Sequence, residues 1–329
     1  MTASSPHRSC CAPYTASGDA TLLHPSVGLL SSGGTPSEGK DTRHAGEDVV
    51  VPAGSFEMGD AFDEGYPADG ETPVHPVAVS SFAVDATAVT NAQFAKFIED
   101  SGYRTESEQL GSSAVFHLLV QAKEQDILGP LTGATWWLAV RGADWAHPNG
   151  PRSIWKDFAE HPVAHVSWND AMAYCAWAGR RLLTEAEWEY AARGGLAGKR
   201  YAWGDELHPE DGQHRCNIWQ GEFPLLNTEA DGYLGTAPVG SFPPNGYGLH
   251  DTSGNVWEWC QDWFLPKYYR NSPINDPQGP TIGAGRVMRG GSYLCHDSYC
   301  NRYRVAARSY SPADSASGNC GFRTARSLT

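Results

Sequence analysis

Two cysteines lie close together in a glycine-led, aromatic stretch, GGSYLCHDSYC, which runs from residue 290 to residue 300. Cys295 and Cys300 are five positions apart, so on a flat strand their side chains would point to opposite faces. On a helix they would sit about 140° apart. The sulfurs therefore meet only if this segment bends. The spacing alone leaves four interpretations open: a small disulfide, a metal site, a nucleophile, or a pair of packed thiols.

Metal preferences narrow the choice for these two sulfurs. A structural zinc site needs four ligands, usually from two Cys-x-x-Cys pairs, and iron–sulfur clusters need more thiolates. The chain has no second pair with suitable spacing, and His296 alone does not complete a set. Two thiolates with no other ligand nearby in sequence suit a soft metal of low coordination number, and Cu(I) is the biological choice. Such a site would leave a position open for a third thiolate.

Composition restricts the classes of function. The chain has 329 residues and a formal net charge of -14, which disfavours binding to nucleic acid. It contains no run of about 18 apolar residues, and its N-terminus lacks the charged start and apolar core of a secretory signal. We therefore expect a cytoplasmic protein without a membrane span. Structural disulfides are uncommon in that compartment, so the eight cysteines are interpreted first as thiols.

The chain divides into a tail and one folded domain. Residues 1–45 are rich in Ser, Gly, Thr and Pro without sustained periodicity, which predicts a flexible tail that includes Cys10 and Cys11. Residues 46–329 show no clear linker and no internal repeat, so we predict a single α+β domain. Because the chain contains 36 Gly and 22 Pro, this domain should have many turns and little regular secondary structure.

Local signals predict several strands and three helices. Residues 49–51 suggest a strand. In the run HPVAVSSFAVDATAVT, apolar and other residues alternate well enough to predict a further pair of strands. Cys175 falls on the inner face of a predicted helix, so we expect a packed core thiol. From about residue 200 onward the pattern shows turns and short strands, with no good helix. Capping residues and stop glycines place the three helices between Thr90 and Gly102, between Ser167 and Gly179, and between Thr184 and Gly194.

Longer blocks of sequence carry a family resemblance. The run SYLCHDSYCNRYR, with both cysteines, is the most specific block, and VPAGSFEMGD, SWNDAMAYCAWAG, GNVWEW and GNCGFR accompany it in the family's order. Over residues 48–326 the chain resembles the formylglycine-generating enzymes, or sulfatase-modifying factors, of the cytosolic bacterial type. The resemblance implies a single compact domain of the formylglycine-generating-enzyme fold, related to C-type lectin-like domains.

The resemblance also implies an oxidase. The family converts a cysteine in a Cys-x-Pro-x-Arg type motif of unfolded sulfatases to Cα-formylglycine, and it consumes O2 and an external thiol reductant. Copper(I) is expected between Cys295 and Cys300, with the substrate thiolate as a third ligand. This agrees with the open position that a two-thiolate site itself suggests. We expect a monomer, because an open cleft must admit an unfolded sulfatase polypeptide.

Residues near the pair receive roles from the same resemblance. Ser292 is expected to line the oxygen pocket, Trp257 to form its wall, and Tyr299 to act beside the cysteines. Each of these also has an ordinary structural interpretation, as a packing aromatic or a hydrogen-bonding side chain. Three further residues are expected on the substrate side, none of them as a copper ligand: Asn319, Ser113 and His296.

Calcium is the second cofactor that the resemblance implies. Ca2+ takes roughly six to eight oxygen ligands from carboxylates, amides and backbone carbonyls. We expect a structural role, since calcium would hold long loops whose backbone groups have few regular partners. The first predicted ligand set is Asn217, Ile218, Asp231 and Tyr233. The second predicted set is Asp251, Gly254, Val256 and Glu258.

Some positions depart from the family pattern. The family's acidic residues for the substrate arginine align with Ala88 and Ser112, while Ser113 is retained. The motif preference therefore stays open. Cysteines of secretory-pathway members align with Val305 and Thr324, which fits a reducing compartment.

Three other functions compete with the oxidase. A non-catalytic, calcium-stabilised lectin-like module that binds peptides would be expected to lack the cysteine pair. An iron-dependent sulfoxide synthase would need a His-x-x-x-His-x-Glu motif, whereas HPVAH at 161–165 is followed by Val-Ser. A dithiol–disulfide oxidoreductase would need Cys-x-x-Cys at a helix start. The pair of cysteines in this block therefore favours the oxidase.

Overall fold

The structure is a computed structural model that describes residues 43–328. The predicted tail over residues 1–45, with Cys10 and Cys11, lies almost entirely outside these residues and stays a prediction. No helix in the described part of the chain is long and apolar enough to cross a membrane.

The described chain forms four α helices and fifteen mostly short strands. The helices are α1 (Asn91–Ser101), α2 (Glu106–Leu110), α3 (Trp168–Ala178) and α4 (Glu185–Ala192). The strands are β1 (Asp48–Val51), β2 (Gly54–Met58), β3 (His75–Val79), β4 (Phe82–Asp85), β5 (Ser112–Phe116), β6 (Ile127–Leu131), β7 (Ala134–Arg141), β8 (Arg181–Leu182), β9 (Gly221–Glu222), β10 (Leu226–Asn227), β11 (Trp257–Trp263), β12 (Arg286–Arg289), β13 (Arg308–Ser311), β14 (Cys320–Gly321) and β15 (Thr324–Ser327).

The three predicted helices, α1, α3 and α4, form where their caps indicate. Each helix starts with a capping box: the side chain of the capping residue accepts a hydrogen bond from the backbone N–H three residues on, and the side chain at that third position accepts one from the backbone N–H of the capping residue. The capping residues are Thr90, Ser167 and Thr184. Gly102 and Gly179 end α1 and α3 in the left-handed conformation, at φ 66° and 65°.

Helix α2 is not among the predicted helices. Thr105 and Glu108 form the same kind of capping box that starts the other three. The helix has only five residues, too few to show a helical period in the sequence.

Strands β3 and β4 both form, as predicted, but they do not pair with each other. β3 pairs with β2, whereas β4 lies inside a four-stranded sheet of order β1-β4-β15-β8. All four residues of β4 are buried. The sequence pattern shows that these segments are extended, but it does not show their partners: β4 pairs with β1 on one side and, on the other, with β15 at the far end of the chain.

A second four-stranded sheet, of order β13-β12-β11-β14, carries the region of the cysteine pair. Its pairs are antiparallel except for β11 and β14, which run parallel and place Trp257 opposite Cys320. Gly290 and Gly291, at φ 89° and 73°, turn the chain out of β12 towards the cysteines. A three-stranded sheet of order β5-β7-β6 and the hairpins β2–β3 and β9–β10 complete the fold.

The largest apolar cluster joins the helices to the cysteine region. Cys175 on α3 is buried in it, as predicted for a packed core thiol, and burial raises the pKa of this thiol well above its ordinary value. Other members of the cluster are Phe94, Tyr174, Trp257, Cys295, Cys300, Cys320 and Phe322.

Buried ion pairs attach the irregular C-terminal half to α4. Both oxygens of Glu185 accept hydrogen bonds from Arg308, each at 2.6 Å, and one also accepts from Arg289 at 3.1 Å. Glu189 accepts from Arg289 at 2.5 Å and from Arg193 at 2.7 Å. Burial alone would raise the pKa of Glu189, but the two guanidinium groups hold that pKa below its ordinary value. Glu189 is therefore charged at neutral pH.

Replacing Arg308 by Met should destabilise the protein severely. The substitution leaves the buried Glu185 carboxylate without its bidentate partner, which costs about 3–5 kcal/mol of unfolding free energy. Urea denaturation at pH 7 measures this loss. Arg326→Met is the matched control, because Arg326 pairs with Asp48 at 2.8 Å with its side chain 47% exposed. That variant should lose less than about 1 kcal/mol. Equal losses of unfolding free energy in the two variants would contradict the conclusion that the buried Arg308–Glu185 pair holds the fold together.

Candidate active site

The two cysteines of the opening motif meet inside the protein. Their sulfurs are 3.3 Å apart, both residues are 0% exposed, and no disulfide joins them. The bend that the spacing requires is a turn at His296, whose carbonyl accepts the N–H of Tyr299 at 3.0 Å and of Cys300 at 2.6 Å. The structure therefore brings two thiols together in a closed, apolar setting.

Each sulfur accepts a hydrogen bond from a different kind of donor. The backbone N–H of Ser292 donates to Cys295 Sγ at 3.4 Å. The guanidinium Nη1 of Arg302 donates to Cys300 Sγ at 3.6 Å. Arg302 was not among the predicted site residues; the only signal in the sequence is a basic side chain two positions after a cysteine.

Ser292 sits on a buried polar chain with Asn319. Asn319 Nδ2 donates to Ser292 Oγ at 3.1 Å, and Asn319 Oδ1 accepts from Ser317 Oγ at 2.8 Å. The N–H of Leu294 also donates to Ser292 Oγ, at 3.4 Å. Asn319 was expected on the substrate side, but it is fully buried. Its contacts show that it orients Ser292.

Trp257 lies in the same buried cluster as the cysteines, at the start of β11. Its backbone N–H donates to the Asn319 carbonyl at 2.8 Å. Its indole Nε1 is buried without a hydrogen-bond partner in the described part of the chain. Unpartnered buried donors are rare in native proteins, so this N–H marks a place where a bound polar group would be stabilised.

Tyr299 belongs to an aromatic group beside the cysteines. Its ring stacks on Phe223 at a centroid distance of 4.4 Å and meets Trp136 edge-on at 5.1 Å. Phe223 lies between β9 and β10, and the same hairpin exposes Leu225 and Leu226 by 68% and 58%. The side chain of Tyr299 is only partly buried, so this group forms the solvent-facing side of the site.

His296 and Ser113, both expected on the substrate side, are placed differently. His296 is partly exposed, and its Nδ1 contacts Ser298 Oγ at 2.8 Å and Asp297 at 3.1 Å. Ser113 is 2% exposed, and its hydroxyl lies 2.8 Å from His165 Nδ1. Burial lowers the pKa of His165 to about 4, so the imidazole is neutral at pH 7. The structure therefore places Ser113 in the interior, as it does the two cysteines, and its substrate contact stays a prediction.

A cavity of about 100 Å³ opens near Tyr293 and Gly318, the neighbours in sequence of Ser292 and Asn319. No charged side chain lines it among the described residues, and neither Ala88 nor Ser112 does. Its lining includes Asn91, whose Oδ1 is buried without a partner. An amide side chain thus belongs to the lining of this cavity in the absence of a carboxylate.

The first predicted calcium set is brought together by Asp231. The carboxylate accepts the N–H of Ile218 at 3.1 Å and of Tyr233 at 3.2 Å, and burial raises its pKa. Asn217 Oδ1 is buried without a hydrogen-bond partner. Residues 43–328 contain no cluster of three or more His, Cys, Asp or Glu side chains around one metal position. A cation at this set would therefore depend mainly on amide and carbonyl oxygens.

The second predicted set is only partly assembled. Asp251 keeps one buried oxygen without a partner, while the other accepts from Gly240 N–H at 2.8 Å. Glu258 has both oxygens engaged, by the Arg323 guanidinium at 2.6 and 2.7 Å and by Trp188 Nε1 at 2.7 Å. Glu258 thus forms a buried ion pair with Arg323, and its predicted ligand role stays a prediction.

Comparisons with known proteins place the chain among enzymes and related proteins. The formylglycine-generating enzyme of Streptomyces coelicolor is 62% identical over 301 residues, which cover 92% of this chain and 95% of that protein. The inactive C-alpha-formylglycine-generating enzyme 2 of Bos taurus is 44% identical and covers 84% of this chain and 87% of that protein. Sequence similarity at that level therefore includes a protein named as inactive.

Solved structures agree on the fold. PvdO from Pseudomonas aeruginosa superposes with a TM-score of 0.64 at 26% identity, over 88% of this chain and 97% of that chain. Variable protein 1 of Treponema denticola gives a TM-score of 0.54 at 21% identity, over 84% and 94%, which is a likeness of fold alone. The predicted single α+β domain of low regular secondary structure, related to C-type lectin-like domains, is confirmed.

Residues 35–328 match the family profile of the sulfatase-modifying factor enzyme 1-like domain. This match includes both cysteines, the strand that carries Trp257 and the segment that carries Asn319. The chain therefore belongs to the sulfatase-modifying factor family, the family of the formylglycine-generating enzymes.

Proposed function

We propose that this protein is a copper-dependent oxidase that converts a cysteine in a Cys-x-Pro-x-Arg type motif of an unfolded sulfatase to Cα-formylglycine. The observation that carries the proposal is the pair of buried, unbridged sulfurs of Cys295 and Cys300, 3.3 Å apart, in a member of this family. Conversion of the cysteine would activate the sulfatase.

The proposed reaction balances with an external thiol as reductant. One substrate cysteine, one O2 and two external thiols give one aldehyde, one hydrogen sulfide, one water and one disulfide. The C–S bond of the substrate breaks and a C=O bond forms. O2 takes up four electrons, two from the substrate carbon and two from the external thiols. Copper would supply oxygen activation next to the substrate thiol when it is bound.

The two sulfurs suit Cu(I), because soft thiolates select this ion over harder metals. Their surroundings, which are closed to solvent, also suit a low-coordinate metal, since water is excluded as a competing ligand. The substrate thiolate is proposed as the third ligand.

Two hydrogen-bond donors beside the pair support an oxygen pocket. Ser292 Oγ accepts from Asn319 and from the Leu294 N–H, so its own proton remains available to donate. Trp257 Nε1 is the second donor without an acceptor. Donors placed in advance stabilise negative charge that develops on oxygen, because little reorganisation is needed. We assign the binding of a reduced oxygen species to these two groups.

The aromatic group of Tyr299, Phe223 and Trp136 supports binding of an extended peptide. Aromatic faces on the solvent side of a buried site offer apolar contact area with little loss of conformational entropy. Because the sulfurs are fully buried, the substrate cysteine must reach them on a narrow segment of chain. An unfolded sulfatase provides such a segment, whereas a folded surface does not.

A non-catalytic module that binds peptides is the second candidate. It is favoured by the 44% identical relative whose name describes it as inactive. The cysteine pair distinguishes the two functions, because a module that only binds a peptide does not need two thiols close together.

Calcium, location and assembly complete the proposal. We propose a structural calcium ion at the first set, supported by the unpartnered Asn217 Oδ1 and the buried Asp231 carboxylate. At the second set only Asp251 offers an unpartnered carboxylate oxygen.

A cytoplasmic location is supported by six described cysteines that are all buried thiols. A monomer is proposed, so that the site stays open to a polypeptide.

A peptide with the sequence Leu-Cys-Thr-Pro-Ser-Arg should lose about 18 Da on incubation with the protein, O2, Cu(I) and a thiol, whereas ordinary thiol oxidation adds oxygen. Mass spectrometry measures the change. Cys295→Ala and Cys300→Ala should abolish it, because each removes one sulfur of the pair. Cys175→Ala is the matched control, since it removes a buried thiol outside the site and should keep the activity. An unmodified peptide with folded, copper-loaded protein would leave the binding module as the function.

Removing calcium with a chelator should lower Tm by several degrees, because a ligand at about 100 times its Kd stabilises the folded state by about 2.7 kcal/mol. Thermal denaturation with and without added calcium measures the effect. Asp231→Asn should abolish the calcium dependence, whereas Asp251→Asn should retain most of it. A calcium effect that survives Asp231→Asn would exclude the first set.

A further inference from the structure

Arg302 connects the cysteine pair to a loop from the other end of the chain. The loop spans residues 59–74, between β2 and β3. Arg302 Nε and Nη2 donate to the Asp69 carboxylate at 2.5 and 3.2 Å, while Nη1 donates to Cys300 Sγ at 3.6 Å. The side chain of Tyr66 lies over the guanidinium, with 4.4 Å between Cζ and the ring centroid. One buried guanidinium thus contacts a carboxylate, a sulfur and an aromatic face.

The loop around Asp69 is itself held in place. Glu71 accepts from both terminal nitrogens of Arg304, at 2.8 and 3.0 Å. The Glu64 carbonyl accepts from Asn301 Nδ2 at 3.1 Å, and the Tyr66 hydroxyl donates to the Tyr299 carbonyl at 3.4 Å. Asp69 therefore has a defined position relative to the segment that follows Cys300.

We propose that Arg302 is a positioning residue for the Cys300 thiolate, and that Asp69 aligns the Arg302 guanidinium for this contact. The proposal rests on the proposed copper site and adds to it a specific donor. At Cys295 the backbone N–H of Ser292 is a neutral donor, whereas the donor at Cys300 is cationic.

The charges explain why such a donor matters here. Two thiolates and one Cu(I) carry a net negative charge in a buried site, and buried charge is costly unless it is hydrogen-bonded. Hydrogen bonds from a cationic donor are roughly twice as strong as neutral ones. Arginine can serve Asp69 and the sulfur together because its donors point in several directions, whereas lysine has one nitrogen.

Competition for Cu(I) tests the contact without relying on turnover. The purified protein competes with a chromophoric Cu(I) chelator, without oxygen and at one fixed pH. Arg302→Met should raise the Kd for Cu(I) at least tenfold, about 1.4 kcal/mol. Arg302→Lys should raise it less, because lysine keeps a charge near Asp69. Cys300→Ser combined with Arg302→Met should be little worse than Cys300→Ser alone, since the partner sulfur is already missing.

Arg304→Met is the matched control. Arg304 is also buried and pairs with the same loop, but its hydrogen bonds go to Glu71 and to the Asn301 carbonyl. It should lower Tm by a similar amount but raise the Kd for Cu(I) clearly less than Arg302→Met does, because Arg304 acts on the site only through the position of the loop. Both arginine variants are compared at a temperature at which circular dichroism shows them folded.

Three outcomes are decisive. A wild-type protein that does not compete for Cu(I) overturns the copper site itself, whatever Arg302 does. Tight wild-type binding that Arg302→Met and Arg302→Lys leave unchanged overturns the role of Arg302 and keeps the copper site. Equal weakening by Arg302→Met and Arg304→Met assigns Arg302 to general stability and also overturns the proposal. Should Arg302→Met fail to fold, Arg302→Lys alone decides.

Discussion

Buried arginine–carboxylate pairs are the interaction on which the rest of the structure depends. The segment from residue 289 to residue 323 contains the cysteines and has little regular secondary structure, so few backbone ladders hold it. Arg289, Arg308 and Arg323 instead reach Glu185, Glu189 and Glu258 on α4 and β11. A charge without its partner in this interior is costly, so the pairs specify one arrangement of the segment.

Features that depend on residues close together in sequence could be predicted, whereas features that depend on contacts between distant parts of the chain could not. Helices α1, α3 and α4 were predictable because a cap at Ser167 or Thr184 depends on residues three positions away. The pairing of β4 with β15 and the contact of Arg302 with Asp69 were not, because they join distant parts of the chain. For the site, the pattern located Cys295 and Cys300, but it could not show that Asn319 and Ser113 are buried like the cysteines, because the fold and not the position in a motif decides exposure.

The site combines rigid and exposed parts. Ser292, Asn319 and Trp257 are buried and connected through hydrogen bonds, so their geometry is set by the core. Tyr299 and the β9–β10 hairpin lie on the solvent side and pack through aromatic faces. Chemistry that needs an exact arrangement is thereby separated from contacts that must accommodate different polypeptides.

The distance along the chain between Asp69 and Arg302 has a consequence for biosynthesis. The two residues are 233 positions apart, and Asp85 and Thr324 are 239 apart. At translation rates of about 5–20 residues per second, the acidic loop leaves the ribosome roughly ten to fifty seconds before its arginines. During that interval the N-terminal half has carboxylates without partners. The thiol pair is consequently enclosed only when synthesis is almost complete, so the proposed copper ion would enter a closed site late, after translation.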